Sequence, residues 1–200
     1  MQGLCKIPSP SKEPQEAKDL LATIRNVALL DDNLETTGKT IAREEKEGRL
    51  IGLYFSAAWC PPCRQFSPRL SAFAADNRKD FPVVYCPLDR SVEQQNMNLA
   101  DKGFLSLPFE LQSTVQNIMQ QVGVMGIPCL VVVKDGVQVT DSGRSAVAKN
   151  PDGAVAAWKQ GKAGEGLHGH NFCDSGDIRR RRIDLKSDPR RRTSTLSSIK

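Results

Sequence analysis

A chain of 200 residues holds one folded domain with extensions, and its 39% apolar fraction is enough to build a core. The net charge of +5 sits at one end: residues 161–200 carry seven Arg and three Lys against four Asp and one Glu, while residues 1–160 balance at 18 basic and 18 acidic. The basic balance therefore belongs to the tail and says nothing about the domain's own ligand, and no apolar run approaches the ~20 residues of a membrane span.

Residues 1–18 are rich in Pro, Ser and Lys and read as a disordered lead without the apolar core of a secretory signal. A reducing, cytoplasmic setting is expected, in which the cysteines at 5, 60, 63, 86, 129 and 173 do not form a static disulfide framework. The domain should span residues 19–160. "LLATIRNVALLDDN" suggests a short helix and a first strand, and "TTGKTIA" a second strand or turn. "RLIGLYFSAA" is a continuous apolar run bounded by charge, the pattern of a strand buried on both faces. That strand is expected to end at Trp59 and turn into a helix at Cys60.

In the helix, Phe66, Leu70, Phe73 and Ala74 form one apolar stripe. Pro68 falls inside it and predicts a kink. "FPVVYCPLD" is the next strand, closed by Pro87. Ser91 and Gln94 form a capping box opening a helix to about Asp101. A second box at Ser113 and Gln116 predicts a helix that buries Val115, Ile118, Met119 and Val122. "IPCLVVVKDGVQVT" reads as a hairpin turning at Asp135–Gly136, and a last helix covers Pro151 to Trp158. The order of elements implies an α/β fold, with a mixed central sheet and helices on both faces. From residue 161 the chain is too poor in apolar residues to offset ordering entropy and reads as a disordered basic tail.

The chemistry concentrates in "AAWCPPCRQF" (57–66). A Cys-x-x-Cys pair serves as half of a zinc site, as a structural staple or as a redox dithiol. Zinc needs a second pair or paired histidines, whereas here the remaining cysteines are scattered and both histidines lie in the tail. A static staple conflicts with a reducing compartment. Placing Cys60 at a helix N-terminus favours the redox use, because unpaired N–H groups and the helix dipole stabilise a thiolate. Cys60 is then the attacking thiol, and Cys63, one turn further in, the resolving one. Pro61 and Pro62 lack N–H groups and suit a first helical turn.

"LYFSAAWCPPCRQFSP" resembles the active-site segment of the tryparedoxin and nucleoredoxin branch of the thioredoxin superfamily. The likeness continues in family order through "VVYCPLDRS", "LPFE", "VGVMGIPCLVVVKDG", Gly143–Arg144 and Trp158, covering about residues 26–160. It implies a thioredoxin-like fold and a protein-disulfide reductase that binds no cofactor. Electrons would come from an external low-molecular-weight dithiol, trypanothione among the candidates, or from a thioredoxin-type protein. Substrates would be protein disulfides, peroxiredoxin-like proteins among them. Trp59, Pro61, Pro62, Ile127 and Pro128 would shape the docking surface, with Pro128 in a cis peptide beside the cysteines. Arg144 matches a family arginine linked to partner recognition, set against the plainer alternative of an exposed arginine at the hairpin's end.

The sequence also departs from the pattern. Thioredoxins carry a buried aspartate six residues before the first cysteine, where this chain has Tyr54, as the tryparedoxin branch does. The acidic cluster frequent after the third strand is reduced here to "DRSVEQQ".

Cys86 and Cys129 are assigned to the core. His168, His170 and Cys173 are a weak metal set in a Gly-rich segment, read as incidental. "RRRR" at 179–182 and "RRR" at 190–192 would attract an anionic partner or direct the chain to the nucleus, and "RRTS" makes Ser194 a candidate phosphosite. The competing functional class is a binding module acting through its surface and tail. Retention of both motif thiols favours the enzyme.

Overall fold

The computed structural model describes residues 21–164. The predicted lead and the tail residues singled out above (His168, His170, Cys173, both arginine runs and Ser194) lie outside the described residues.

Strand β1 (Ile51–Ser56) is buried at every position. It runs parallel to β2 (Val83–Pro87), which is parallel to the short β3 (Leu105–Ser106). On its other side it pairs antiparallel with β4 (Cys129–Lys134), which turns into β5 (Val137–Thr140). The sheet order is β3-β2-β1-β4-β5. Strand periodicity sends alternate residues to opposite faces. Leu53 and Phe55 join Val84, Cys86, Cys129 and Val131 in one apolar layer, whereas Tyr54 joins Tyr85, Leu130 and Val132 in the other. This two-sided burial is why the β1 sequence is apolar without alternation.

Helix α1 (Ile41–Lys46) precedes β1 and is capped by the Thr40 hydroxyl. Helix α2 (Pro61–Asp76) covers the Tyr54 face with Phe66, Leu70, Phe73 and Ala74. It continues through Pro68 as a single element. Helix α3 (Val92–Leu99) is capped by Ser91, whose hydroxyl accepts the Gln94 N–H at 3.3 Å. Helix α4 (Gln112–Gln121) buries Val115 and Ile118 against the opposite layer. Two short helices, α5 (Gly143–Lys149) and α6 (Pro151–Lys159), close the α2 side, with Trp158 fully buried against Phe73 and Phe81. The hairpin turns at Asp135 and Gly136, which have φ of 51° and 77°, a left-handed pair that Asp-Gly supplies at low steric cost.

Four expectations need correction. The predicted first strand is a single bridging residue, Leu30, which touches Thr36 and Ser106 without propagating. Of the strand or turn expected for "TTGKTIA", the strand does not form: the segment bridges at Thr36, bends at Gly38 (φ 66°) and then provides the cap and first residues of α1. Ser113 caps nothing, because a 3-10 turn at Phe109–Leu111 feeds α4 two residues earlier, with Leu111 at the cap position. Arg144 does not end the hairpin; it belongs to α5, whose seven residues are too few for a clear periodic signal.

Candidate active site

Parallel pairing of β1 with β2 sets Ser56 opposite Pro87. The loops that leave these two strands must therefore run side by side: Ala57–Cys60 into α2 and Leu88–Ser91 into α3. They are bonded together. The Ala58 N–H donates to Asp89 Oδ1 at 2.7 Å, and Trp59 Nε1 donates to the Leu88 carbonyl at 2.9 Å. The strand ends at Ser56, three residues before the expected Trp59, which leaves Ala57–Trp59 as a corner that buries Ala57 and exposes Trp59.

Cys60 is the N-cap of α2, with extended backbone (φ −92°, ψ 108°), and its Sγ accepts the Cys63 N–H at 3.3 Å. A cysteine thus takes the position usually held by Ser, Thr, Asp or Asn. In the reduced protein that N–H and the helix dipole face the sulfur and favour its anion. Cys60 and Cys63 are joined as a disulfide, with Cα atoms 5.2 Å apart. Pro61 and Pro62 fill the first turn and are exposed. Cys60 keeps 4% of its surface open and Cys63 none, while Trp59 is 44% exposed beside them.

The Ile127–Pro128 peptide is cis, and the Ile127 carbonyl oxygen lies 3.8 Å from Cys60 Sγ. Pro128 is buried at the mouth of β4 and Ile127 half-buried against the cysteine pair. Seven of the eight residues singled out from the sequence therefore meet at one corner. Arg144 stands apart on the flank of α2, its guanidinium 5.9 Å from the Phe66 ring centre, one turn beyond Cys63.

Beneath the corner lies a buried polar layer. Tyr54 Oη is 2.9 Å from Ser67 Oγ, whose hydroxyl donates to the Cys63 carbonyl at 2.9 Å. Burial pushes the Tyr54 hydroxyl pKa up, so it stays neutral. Tyr85 donates to Asp89 Oδ2 at 2.5 Å and accepts from Asn98 Nδ2 at 2.7 Å. Asp89 is 3% exposed. Burial raises its carboxyl pKa, and the hydrogen bonds from Ala58 and Tyr85 offset part of that rise. Asp89 was missed as a site residue, since the sequence drew attention to "PLDRS" only as a segment. The available signal was Pro87, which ends β2 level with β1 and so places residue 89 under the corner.

Among the described residues, no three His, Cys, Asp or Glu side chains gather to hold a metal ion, and no helix is long and apolar enough to cross a membrane. Cys86 and Cys129 are buried in strands β2 and β4, and burial drives the Cys86 thiol well above its ordinary pKa.

A family model described as thioredoxin-like matches residues 48–139. Tryparedoxin of Trypanosoma brucei brucei is 36% identical over 115 residues, which cover 56% of this chain and 80% of that protein. The chain belongs to the thioredoxin-like family, in its tryparedoxin and nucleoredoxin branch. Nucleoredoxin of Danio rerio is 30% identical over 134 residues, but those make up only 31% of its length. A solved tryparedoxin from Trypanosoma brucei superposes with a TM-score of 0.59 at 31% identity, covering 70% of this chain and 97% of that one. Tryparedoxin II, solved in complex with glutathionylspermidine, gives a TM-score of 0.60 at 28% identity, with coverage of 67% and 94%. Thioredoxin-like thiol–disulfide oxidoreductases of this kind need no bound cofactor and draw electrons from external dithiols.

Proposed function

We propose that the protein reduces disulfides in partner proteins, with Cys60 attacking and Cys63 resolving. The observation that carries this is the asymmetry of the pair: Cys60 Sγ caps a helix at an open corner, while Cys63 is fully enclosed one turn behind it. In the reduced enzyme the Cys60 thiolate attacks one sulfur of the substrate disulfide. The substrate S–S bond breaks, and its leaving thiolate takes a proton from solvent. Cys63, once deprotonated, attacks Cys60 Sγ in the mixed disulfide, releases the second substrate thiol and closes the Cys60–Cys63 bond. Two electrons have moved from the dithiol to the substrate, and an external dithiol restores them by the same exchange in reverse. The glutathionylspermidine complex of tryparedoxin II supports a small thiol donor of this type, trypanothione included, with a thioredoxin-type protein as the macromolecular equivalent. Peroxiredoxin-like proteins are the substrates that the tryparedoxin relationship favours. The cytoplasm, with its reducing thiol pool, suits such a cycle.

Trp59, Pro61, Pro62 and Ile127 surround the opening and would bear on the substrate, with Pro128 fixing the backbone behind Ile127. Arg144, set back over Phe66, would meet only the outer part of a bound partner.

Insulin-disulfide reduction driven by dithiothreitol tests the proposal. The wild-type protein should accelerate precipitation of the insulin B chain, and Cys60→Ser should fall to the uncatalysed rate. Cys63→Ser should accumulate covalent adducts with substrate that dithiothreitol releases. An inactive wild type, or full activity in Cys60→Ser, would overturn the assignment.

A further inference from the structure

The domain is neutral as a whole, yet its charge is not evenly placed around Cys60. Arg64, in the first turn of α2, is exposed and reaches back so that its guanidinium donates to the Ala58 carbonyl at 2.8 Å. Arg90, exposed on the adjoining loop, holds its guanidinium 5.4 Å from the centre of the Trp59 ring. Both cations are therefore fixed at the lip of the opening, one by a backbone oxygen and the other by an aromatic face. Among the described residues, neither forms an ion pair.

Among the described residues, the nearby carboxylates are engaged elsewhere and form no ion pair with them. Asp89, next to Arg90 in sequence, is turned inward to Ala58 and Tyr85. Glu93 is engaged by the Ser91 side chain at the start of α3, a hydrogen bond that lowers its pKa. The lip of the active site thus presents two held guanidinium groups, neither in an ion pair among the described residues, beside an exposed indole.

We propose that Arg64 and Arg90 select protein substrates whose disulfide is flanked by acidic residues. The proposal rests on the disulfide-reductase reading and specifies its substrate class. A disulfide must come within bonding distance of Cys60, which brings its neighbouring side chains to the lip where Arg64 is bonded to Ala58 and Arg90 lies over Trp59, two residues and one residue before Cys60 in the chain. Charges that meet there interact over a Debye length of about 8 Å at physiological salt. Carboxylates there gain charge-assisted bonds to two preplaced forks, and ammonium groups meet repulsion. Because the guanidinium groups are already held, little side-chain entropy is lost when a partner docks.

The experiment uses the full chain, reduced beforehand, and two synthetic peptide disulfides identical except that glutamates flank the cysteines in one and lysines in the other. Oxidation of the enzyme is followed by acid quench and mass spectrometry, with insulin as a neutral control. The glutamate peptide should react roughly tenfold faster than the lysine peptide at low salt, within the range of electrostatic steering. High salt should compress that ratio toward one, and Arg64→Glu with Arg90→Glu should invert it. Inversion cannot arise from a folding defect, which would slow both peptides alike.

Equal rates for the two peptides in wild type, while insulin is still reduced, would overturn the selection and leave the reductase assignment intact. A preference for glutamate that survives in the double variant would also overturn it, by removing these two residues as its source. Failure to reduce insulin and both peptides would overturn the reductase assignment and this proposal together.

Discussion

The protein carries the same side chain in two settings. At the corner between β1 and α2, Cys60 caps a helix and receives a backbone N–H. Within the sheet, Cys86 and Cys129 lie in strands and are buried in the same apolar layer. The corner lowers the cost of a negative sulfur and the strand interior raises it, as the upward shift of the Cys86 thiol reflects. The difference shows that reactivity here is a property of position in the fold. The Cys-x-x-Cys spacing matters because it lets one thiol cap the helix whose first turn carries the other.

The sharpest way to break that comparison is thiol labelling of the reduced protein with iodoacetamide, mapped by peptide mass spectrometry. Cys60 should be alkylated first. Cys86 and Cys129 should react only through opening of the fold, slower by a factor on the order of 10³ or more. Adding denaturant should erase the contrast. Early labelling of Cys86 in the native protein would show that the strand setting does not silence a thiol as argued.

The same contrast explains what the sequence could disclose. The corner was legible because several signals agree there: a run buried on two faces, a Cys-Pro-Pro-Cys pair, then an apolar stripe at helical spacing. The hairpin was legible because Asp135 and Gly136 are the residues that a left-handed turn requires. Elements held by tertiary contact alone left weaker marks. Leu30 is held in place by bridges to Thr36 and Ser106, and β3 is two residues long. Helix α5 begins at Gly143, where any Cβ would meet the Leu130 carbonyl at 2.7 Å, a packing demand invisible to periodicity. Asp89, Arg64 and Arg90 escaped for the same reason. A charged residue reads as solvated surface until strand pairing shows which loop lies beside it.

A second, smaller test concerns the support under the corner. Asp89→Ala removes the acceptor for the Ala58 N–H and for the Tyr85 hydroxyl. Tyr85 has an alternative in the Ser56 carbonyl at 3.2 Å, so the loss falls mainly on Ala58. Leaving this part-buried donor without its carboxylate should lower unfolding free energy by about 1 kcal/mol, measurable by urea denaturation. Unchanged stability would mean that water replaces the carboxylate and that the two loops are joined mainly through Trp59 and Leu88.

The smallest effect is the most diagnostic of Asp89's charge. Its folded carboxyl pKa lies above the ordinary aspartate value of 3.8, because burial outweighs the two donated hydrogen bonds. The folded state therefore binds this proton more tightly than the unfolded chain does. By linkage, the stability contributed by that proton is fully present below 3.8 and is lost as pH rises through the folded value. Asp89→Asn keeps an oxygen for the Ala58 N–H and cannot titrate. Urea unfolding across the mildly acidic range should show wild type losing stability relative to Asp89→Asn as pH increases, with parallel curves above that range. The opposite slope, wild type gaining on the variant as the carboxylate ionises, would show that the donors from Ala58 and Tyr85 more than compensate burial. Asp89 would then resemble the corner at Cys60, where the fold favours an anion, rather than the strand interior at Cys86, where it opposes one.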